Sequence, residues 1–556
     1  MIRKLRHILF EPVDIAPLVF FRVAFGAVML WEVWRYFEHT RVERYYIEPT
    51  FFFPYFGFDW LHPLPGDGMI WLFYGLGLLS LAILLGIFYR VSMVMFWLGF
   101  TYVFLLDKAQ YLNHFYLVSL ISFLMIFIPA HRAASVDARW RPAIRASSAP
   151  TWSLWLLRGQ MGIVYFYGGI AKINPDWLAG QPLRKWLAER TDFPFIGQWF
   201  TEEWMVYLFS YGGLLFDLFI VPLILWRRTR IPALVLALFF HLSNARLFNI
   251  GIFPWFAIAI TLLYLPPHWF RWWGRTSSDA TQSPAYTSHR RWILAGIAFY
   301  GAVQVLLPLR HWLYPGDPSW TEEGHLYSWH MRLREKDGYI NFFANDPANG
   351  TIWPITGEAY LTARQFNEMT DNPQMILHFA HHLADQHQAD HGDIGVHVWA
   401  MISLNSRAPQ LLLDPTADLT AQSDTLLPAN WILPLVQRPY PHEPVPALLI
   451  SRRQHDSLLL INITHRTFPL YRLSLETGDL LLAEKAFGAD ELLPGECLLA
   501  HTESADLMAI VAPCNEAGAR ISIPSEWLTE PLMVRTGSGA SVCSGPACVV
   551  VDEGGD

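Results

Sequence analysis

Nine apolar runs crowd the first 310 or so residues, and they constrain the fold more than any motif in the chain. They centre on 16–37, 69–89, 91–106, 115–130, 154–171, 204–226, 231–247, 250–266 and 292–309. A helix needs about 20 residues to cross a hydrocarbon layer about 30 Å thick, so most of these runs are long enough to span a bilayer. The runs 91–106 and 231–247 are short, and a broken or partly inserted helix is expected there. Composition agrees, with 53% apolar and 16% charged residues against about 25% charged in a typical soluble domain. A net charge of −8 argues against nucleic acid as a partner.

Basic residues set the expected topology, because Lys and Arg in short loops stay cytoplasmic. Alternating from Arg3, Lys4 and Arg6, the inside loops hold fifteen Lys and Arg and the outside loops eight. An odd number of spans then places everything after residue 310 outside the cytoplasm. The expected fold is a polytopic α-helical membrane domain of about nine spans, followed by an extracytoplasmic α+β and β-sandwich part. Its expected divisions are 1–309 for the membrane domain, 310–440 for a mixed α/β region, 441–535 for a β-rich sandwich-like module and 536–556 for a flexible tail. In the second half, 325–334 and 394–405 read as strands and 361–370 and 373–388 as helices. Runs such as 457–463, 468–474 and 507–512 read as short strands parted by turns at Thr477-Gly478 and Pro494-Gly495. Cys497, Cys514, Cys543 and Cys548 all fall there, which suits a compartment where disulfides persist; Cys543–Cys548 as a short loop and free thiols are both open.

Ionisable groups inside a span are costly and tend to mark function. Arg22, Arg158, Asp217 and His241 lie within apolar runs, with Gln160 beside Arg158. Pairing of Arg22 or Arg158 with Asp217 is the structural alternative. A second group sits at span ends on the outer side: Asn113-His114, Lys172 after Gly168-Gly169-Ile170-Ala171, Asn244 and Phe248. Lys172 is either a snorkelling or Asp176-paired lysine, or a base whose pKa, ordinarily about 10.4, is lowered by an apolar site. The glycines before it allow a helix or a flat ligand to approach closely. His378 and His382, within a His-rich stretch, have the i,i+4 spacing of a zinc pair. A polar histidine face on an amphipathic helix explains them as well, and no metal is expected.

Several segments resemble the vitamin K-dependent γ-glutamyl carboxylase family and its bacterial-type homologues. They are Leu105-Leu106-Asp107-Lys108 with His114-Phe115-Tyr116; Leu157 through Phe166; Lys172 with Asp176-Trp177 and Gly180; Gly212-Gly213-Leu214-Leu215 with Asp217; and His241, Asn244, Leu247-Phe248, Gly251 and Phe253. Trp320-Thr321, Tyr327-Ser328-Trp329, Met331, Trp399, Ser403, Asn405, Arg407 and Asp414-Pro415 look like the family's lumenal part. The resemblance runs from about residue 11 to 510.

The resemblance implies a membrane enzyme that oxidises a reduced vitamin K-type naphthoquinone, a phylloquinone or menaquinone hydroquinone, to its epoxide with dioxygen. The strong base so formed removes a γ-proton from a glutamyl side chain, which captures carbon dioxide. Lys172 takes the position of the hydroquinone-activating lysine and His114 that of the histidine of the carboxylation half. Asn113, Arg158, Gln160, His241, Asn244 and Phe248 are the candidate cofactor-binding residues. Tyr327, Trp329, Met331 and His325 are the candidates for substrate contact, although Glu322-Glu323-Gly324-His325-Leu326 departs from the animal enzymes. The implied partners are a glutamate-containing exported polypeptide, membrane lipid and a quinone reductase for recycling. The implied location is a bacterial inner membrane, or the endoplasmic reticulum in a eukaryote. An uncoupled quinol epoxidase and a quinone-binding scaffold or transporter are the alternatives.

Overall fold

The computed structural model describes residues 7–248, 250–273, 290–346, 351–407 and 409–435, together with the strands of a sheet between 449 and 551. Cys514 and the expected turn residues Gly478, Pro494 and Gly495 fall outside the described residues. The chain divides into two compact units: Met1–Tyr314 with Glu323–Leu333, and Pro315–Glu322 with Arg334–Asp556.

In the first unit a helix occupies each of the nine apolar runs. They are α1 (Ala16–Glu38), α2 (Gly68–Leu85), α3 (Tyr89–Leu106), α4 (Asn113–Phe127) and α5 (Thr151–Ala171). They continue with α6 (Glu203–Leu225), α7 (Arg230–Leu247), α8 (Phe253–Leu262) and α9 (Arg290–Leu306). Five stretches are long and apolar enough to cross a membrane: α1, α2, α3, α6 and Arg290–Leu313. Helices α4 and α8 are apolar but shorter. Helices α5 and α7, with Arg158, Gln160, His241 and Asn244 in them, fall short in apolar character. Side chains such as Trp71, Leu78, Phe239 and Phe299 are exposed on the outside of the bundle, as a lipid-facing surface requires.

Two of the intramembrane arginines hold backbone rather than carboxylates. Arg22 donates to the carbonyl oxygens of Ala130, Ala133 and Ala134 at 3.2, 3.4 and 2.6 Å. Gly86, in the left-handed region with φ +69°, ends α2 against it; a Cβ there would lie 2.7 Å from Arg22 Nη1. Arg158 donates to Leu263 O at 2.7 Å and Leu265 O at 3.2 Å, satisfying carbonyls just past the end of α8. The expected pairing of Arg22 or Arg158 with Asp217 is therefore not what these guanidinium groups do. Their chemistry explains it: a planar fork with several donors serves turn carbonyls that have no helical partner.

Residues 323–333 close the first unit, and no strand forms in the described part of 325–334 where one was expected. The segment is irregular, with Tyr327, Trp329 and Arg332 at φ +64°, +60° and +52°. Side chains with a Cβ rarely adopt that region, so local contacts must hold it there.

The second unit holds a four-stranded antiparallel sheet built from β1 (Lys336–Asp346), β2 (Thr351–Ile355), β3 (Gly395–Leu404) and β4 (Gln410–Leu411), in the order β2-β1-β3-β4. Helices α10 (Ala363–Thr370) and α11 (Pro373–His391) fall on the expected stretches. A capping box at Thr362 and Gln365 starts α10, and the Asn372 side chain caps α11. Four charges lie at one end of the sheet. Arg334 donates to both Glu322 oxygens at 2.5 and 2.6 Å, and Lys336 Nζ to Glu322 Oε1 at 2.7 Å and Asp371 O at 2.6 Å. Burial pushes the Asp371 carboxyl up to about 7 despite Lys336 and Arg334 beside it.

The histidine face of α11 is used for packing. His378 Nε2 lies 2.9 Å from Asp424 Oδ2, and His381 Nε2 lies 3.0 and 2.9 Å from the carbonyl oxygens of Leu419 and Gln422, fastening the 419–424 loop. Among the described residues no group of histidine, cysteine and carboxylate side chains is placed to hold a metal ion.

The described strands after residue 449 form one nine-stranded antiparallel sheet rather than the two packed sheets of a sandwich. Its two end strands, Leu480–Leu492 and Asp506–Pro513, touch one another, so the sheet curls into a barrel-like form. Gly539–Ser544 and Ala547–Val551 pair within this sheet, where a tail was expected, and bring Cys543 opposite Cys548. The Val549-Val550-Val551 run supplies the β-branched residues that favour a strand.

Candidate active site

The end of α5 sets the position of Lys172. The lysine is the residue that follows the helix, and its Nζ donates back to Gly168 O at 3.0 Å, where a cation suits the helix C-terminus. The same Nζ donates to Asp217 Oδ2 of α6 at 2.7 Å and lies 5.3 Å from the centre of the Trp177 ring. Both charged side chains are buried, at 8% and 7% exposure. Asp217 is thus the partner of Lys172.

The two glycines before Lys172 make this pairing possible. A Cβ on Gly169 would lie 2.6 Å from Leu218 Cδ2 and 3.1 Å from the Leu218 backbone nitrogen, so α6 packs directly on α5. A Cβ on Gly168 would meet Met331 Cε at 2.9 Å and Asp217 Oδ2 at 3.3 Å. Met331 therefore covers the same spot as the ion pair.

His241 stands near the end of α7, buried, with Nε2 2.8 Å from the Tyr165 hydroxyl, which in turn lies 2.8 Å from Thr261 Oγ1. Its Nδ1 is buried with no hydrogen-bond partner among the described residues. Phe216, next to Asp217 in sequence, sets its ring 6.0 Å from that of His241. Phe253, at the start of α8, lies 6.2 Å from His241 and 5.8 Å from His114. A row thus runs Lys172, Asp217, Phe216, His241, Phe253, His114, drawn from α4 to α8, with Asp217 and Phe216 joined through the backbone of α6. Asn244 is half-buried one turn after His241. Phe248 packs in the apolar cluster of Trp177, Leu183 and Leu247 behind Lys172.

The irregular segment 323–333 is fastened beside this row. Asn113 Nδ2 donates to His330 O at 3.0 Å, and its Oδ1 accepts from the Tyr111 hydroxyl at 3.0 Å. That hydroxyl accepts from the Tyr327 backbone N–H at 3.0 Å. Tyr116, on the first turn of α4, touches Tyr327 at 4.9 Å and the fully buried Trp329 at 5.0 Å between ring centres. His325 packs edge-on against His330, 5.0 Å away.

Two of the expected cofactor residues lie apart from this row. Arg158 and Gln160 precede Lys172 by 14 and 12 residues, about 21 and 18 Å along a helix rising 1.5 Å per residue. Gln160 instead joins Tyr300 and Gln304 of α9, accepting from the Tyr300 hydroxyl at 2.6 Å. Conversely, the sequence reading did not single out Glu32 and Arg35 in the last turns of α1. Arg35 donates to Glu32 Oε2 at 2.7 Å, with the two side chains 15% and 5% exposed. Its guanidinium lies over Gly251, two residues before Phe253. The signal was an i,i+3 opposite-charge pair inside an apolar run.

Comparison with known families gives two matches. Residues 10–269 match the HTTM domain, and residues 289–438 match the vitamin K-dependent gamma-carboxylase, lumenal domain. No solved structure matches the chain. The first match covers α1 to α8 and so every residue of the row, and the second covers the segment from Trp320 to Met331. With both parts present in one chain and in order, the protein belongs to the vitamin K-dependent γ-carboxylase family.

Proposed function

We propose that the protein carboxylates glutamyl side chains of exported polypeptides, using a reduced vitamin K-type naphthoquinone, dioxygen and carbon dioxide. The observation that carries this reading is the buried Lys172–Asp217 pair at the head of a row that ends on His114. When bound, the reduced naphthoquinone supplies, through its oxidation by dioxygen to the epoxide, a base stronger than any side chain. A glutamyl γ-carbon is too weak an acid for a protein group at neutral pH, whereas a quinol hydroxyl is about as acidic as tyrosine, with a pKa of about 10.

The residues fit such a group. The ammonium form of Lys172 has three N–H bonds; two are directed at Gly168 O and Asp217 Oδ2, leaving a third direction for a quinol oxygen. His241 Nδ1 is a buried ring nitrogen still lacking a described partner. Phe216, Phe253 and Phe248 supply apolar ring surface around them. In this reading Lys172 takes the quinol proton as the neutral amine, and the ammonium so formed, held by Asp217 and Gly168 O, turns its third N–H to the quinol oxygen and steadies the anion. His241, Asn244 and Phe248 shape the pocket, and the aromatic walls exclude the water that would quench a strong base. His114 serves the carboxylation half, and Asn113 orients the 323–333 segment, with Tyr327, Trp329, Met331 and His325, as the polypeptide's point of entry.

The lumenal-domain match supports binding of a substrate protein. A bacterial inner-membrane location, with a quinone reductase returning the oxidised quinone, completes the proposal. Its test is a parallel assay of quinone epoxide and labelled carbon dioxide fixed into a glutamyl peptide. Epoxide without fixed label would leave an uncoupled quinol epoxidase in its place.

A further inference from the structure

We propose that Arg35 anchors the side-chain carboxylate of the glutamyl substrate beside His114. This rests on the carboxylase reading and adds to it a subsite on α1. The chemistry requires a cation there. When the γ-carbon loses its proton to the strong base, the C–H electron pair stays on a carbon next to a carboxylate. That pair then forms the new carbon–carbon bond to carbon dioxide, giving a second carboxylate. In between, a second negative charge is delocalised onto a group that is already anionic. In an apolar site this is prohibitive unless a fixed positive charge faces the carboxylate.

Lys172 does not supply that charge, since two of its N–H bonds hold Gly168 O and Asp217 and the third is the one assigned to the quinol oxygen. Arg35 is the guanidinium on the His114 side of the row. It lies with Nη1 3.1 Å and Nη2 3.6 Å from where a Cβ of Gly251 would be, and so rests directly on that backbone. Phe253, two residues on, sets its ring 5.8 Å from that of His114. Only Nη1 has a described acceptor, Glu32 Oε2; the remaining N–H groups of the fork suit a second carboxylate. A narrow cleft with a cavity of about 20 Å³ lies on the Glu32 side of the pair, walled by Glu32, Tyr36, Gln110 and Phe115. Phe115 is the residue after His114, so the cleft and the histidine share a wall.

The test is binding without turnover, using the full-length protein in detergent and no quinol. The probe is a fluorescein-labelled short peptide with two adjacent glutamates, compared with its twin carrying glutamines. Wild type is expected to bind the glutamate peptide at least tenfold more tightly than the twin. Arg35→Gln is expected to lose that preference. The double variant Glu32→Gln/Arg35→Gln, which leaves neither buried charge alone, is expected to lose it equally, whereas Arg35→Lys keeps part of it. A double variant with the wild-type preference, or a wild type with no preference, overturns the proposal. Because binding is read without chemistry, failure of the carboxylase reading shows separately, as absent label fixation by a protein that still discriminates the two peptides.

Discussion

Lys172 Nζ and Asp217 Oδ2 lie 2.7 Å apart, joining the end of one helix to the middle of another with both side chains more than nine-tenths buried. Removing one member leaves the other as an uncompensated buried charge, which costs about 3–5 kcal/mol. Asp217→Ala is therefore expected to lower the thermal midpoint of the purified protein and to abolish quinol oxidation. The double variant Lys172→Met/Asp217→Leu replaces the pair by apolar groups. It is expected to recover most of the midpoint and none of the oxidation, which separates the pair's structural contribution from its chemical one. A double variant that still oxidises quinol would remove both residues from the reaction.

The helix contact that allows the pair gives a second expectation. Gly169→Ala would place a methyl group 2.6 Å from Leu218 Cδ2 and close to the Leu218 backbone. Overpacking of this kind typically costs about 1–3 kcal/mol, and the strain acts one residue from Asp217. Stability and epoxide formation should fall together. Gly168→Ala should be milder in stability, because its nearest contact is the flexible end of Met331. Thermal unfolding with epoxide quantification on both variants checks this order.

Asn113 fastens the 323–333 segment through His330 O. Asn113→Ala removes that donor and the acceptor for the Tyr111 hydroxyl, a loss of about 1 kcal/mol per bond. Tyr327, Trp329 and Arg332 hold unfavourable positive φ in that segment, so release should open it locally rather than unfold the unit. Limited proteolysis should cut within 323–333 several-fold faster than in wild type. Unchanged cleavage would mean that other contacts hold the segment.

The neighbours of Asp371, namely Lys336, Arg334, Glu322 and Glu368, set a pH expectation for the second unit. Burial raises its folded value to about 7, above the ordinary aspartate value of about 3.9. The folded state therefore binds the extra proton between those values, and stability falls as pH rises through that window, levelling off above about 7. Asp371→Asn should flatten the slope and slow exchange of the Gly395–Leu404 amides at pH 8. Hydrogen exchange on the full-length protein at pH 5 and 8 measures it. An unchanged slope in the variant would remove Asp371 as its source.

Much of the site was legible because membrane burial makes polar residues conspicuous. Lys172, His114 and His241 stand at or in apolar runs where nothing but function or pairing explains them. Asp217 was conspicuous for the same reason, but its partner was not. Which cation it meets depends on how closely α5 and α6 approach, and that is set by the missing side chains of Gly168 and Gly169. Arg35 and Glu32 passed as the polar end of a helix, because an i,i+3 pair looks the same whether solvated or buried. The 323–333 segment alternates like a strand, and no residue type announces that Tyr327, Trp329 and Arg332 sit at positive φ. Strand positions past 449 were partly visible, while their pairing into one curled sheet depends on non-local register that no local pattern carries.

The central claim, that Lys172 drives a quinol oxidation coupled to glutamyl carboxylation, is tested most directly by one paired measurement. Purified wild type and Lys172→Ala are given reduced naphthoquinone, dioxygen, labelled carbon dioxide and a glutamyl peptide, and epoxide and peptide-bound label are counted together. The account predicts both products from wild type and neither from folded Lys172→Ala. Epoxide formed at the wild-type rate by Lys172→Ala, or a wild type that fixes no label while making epoxide, would contradict it.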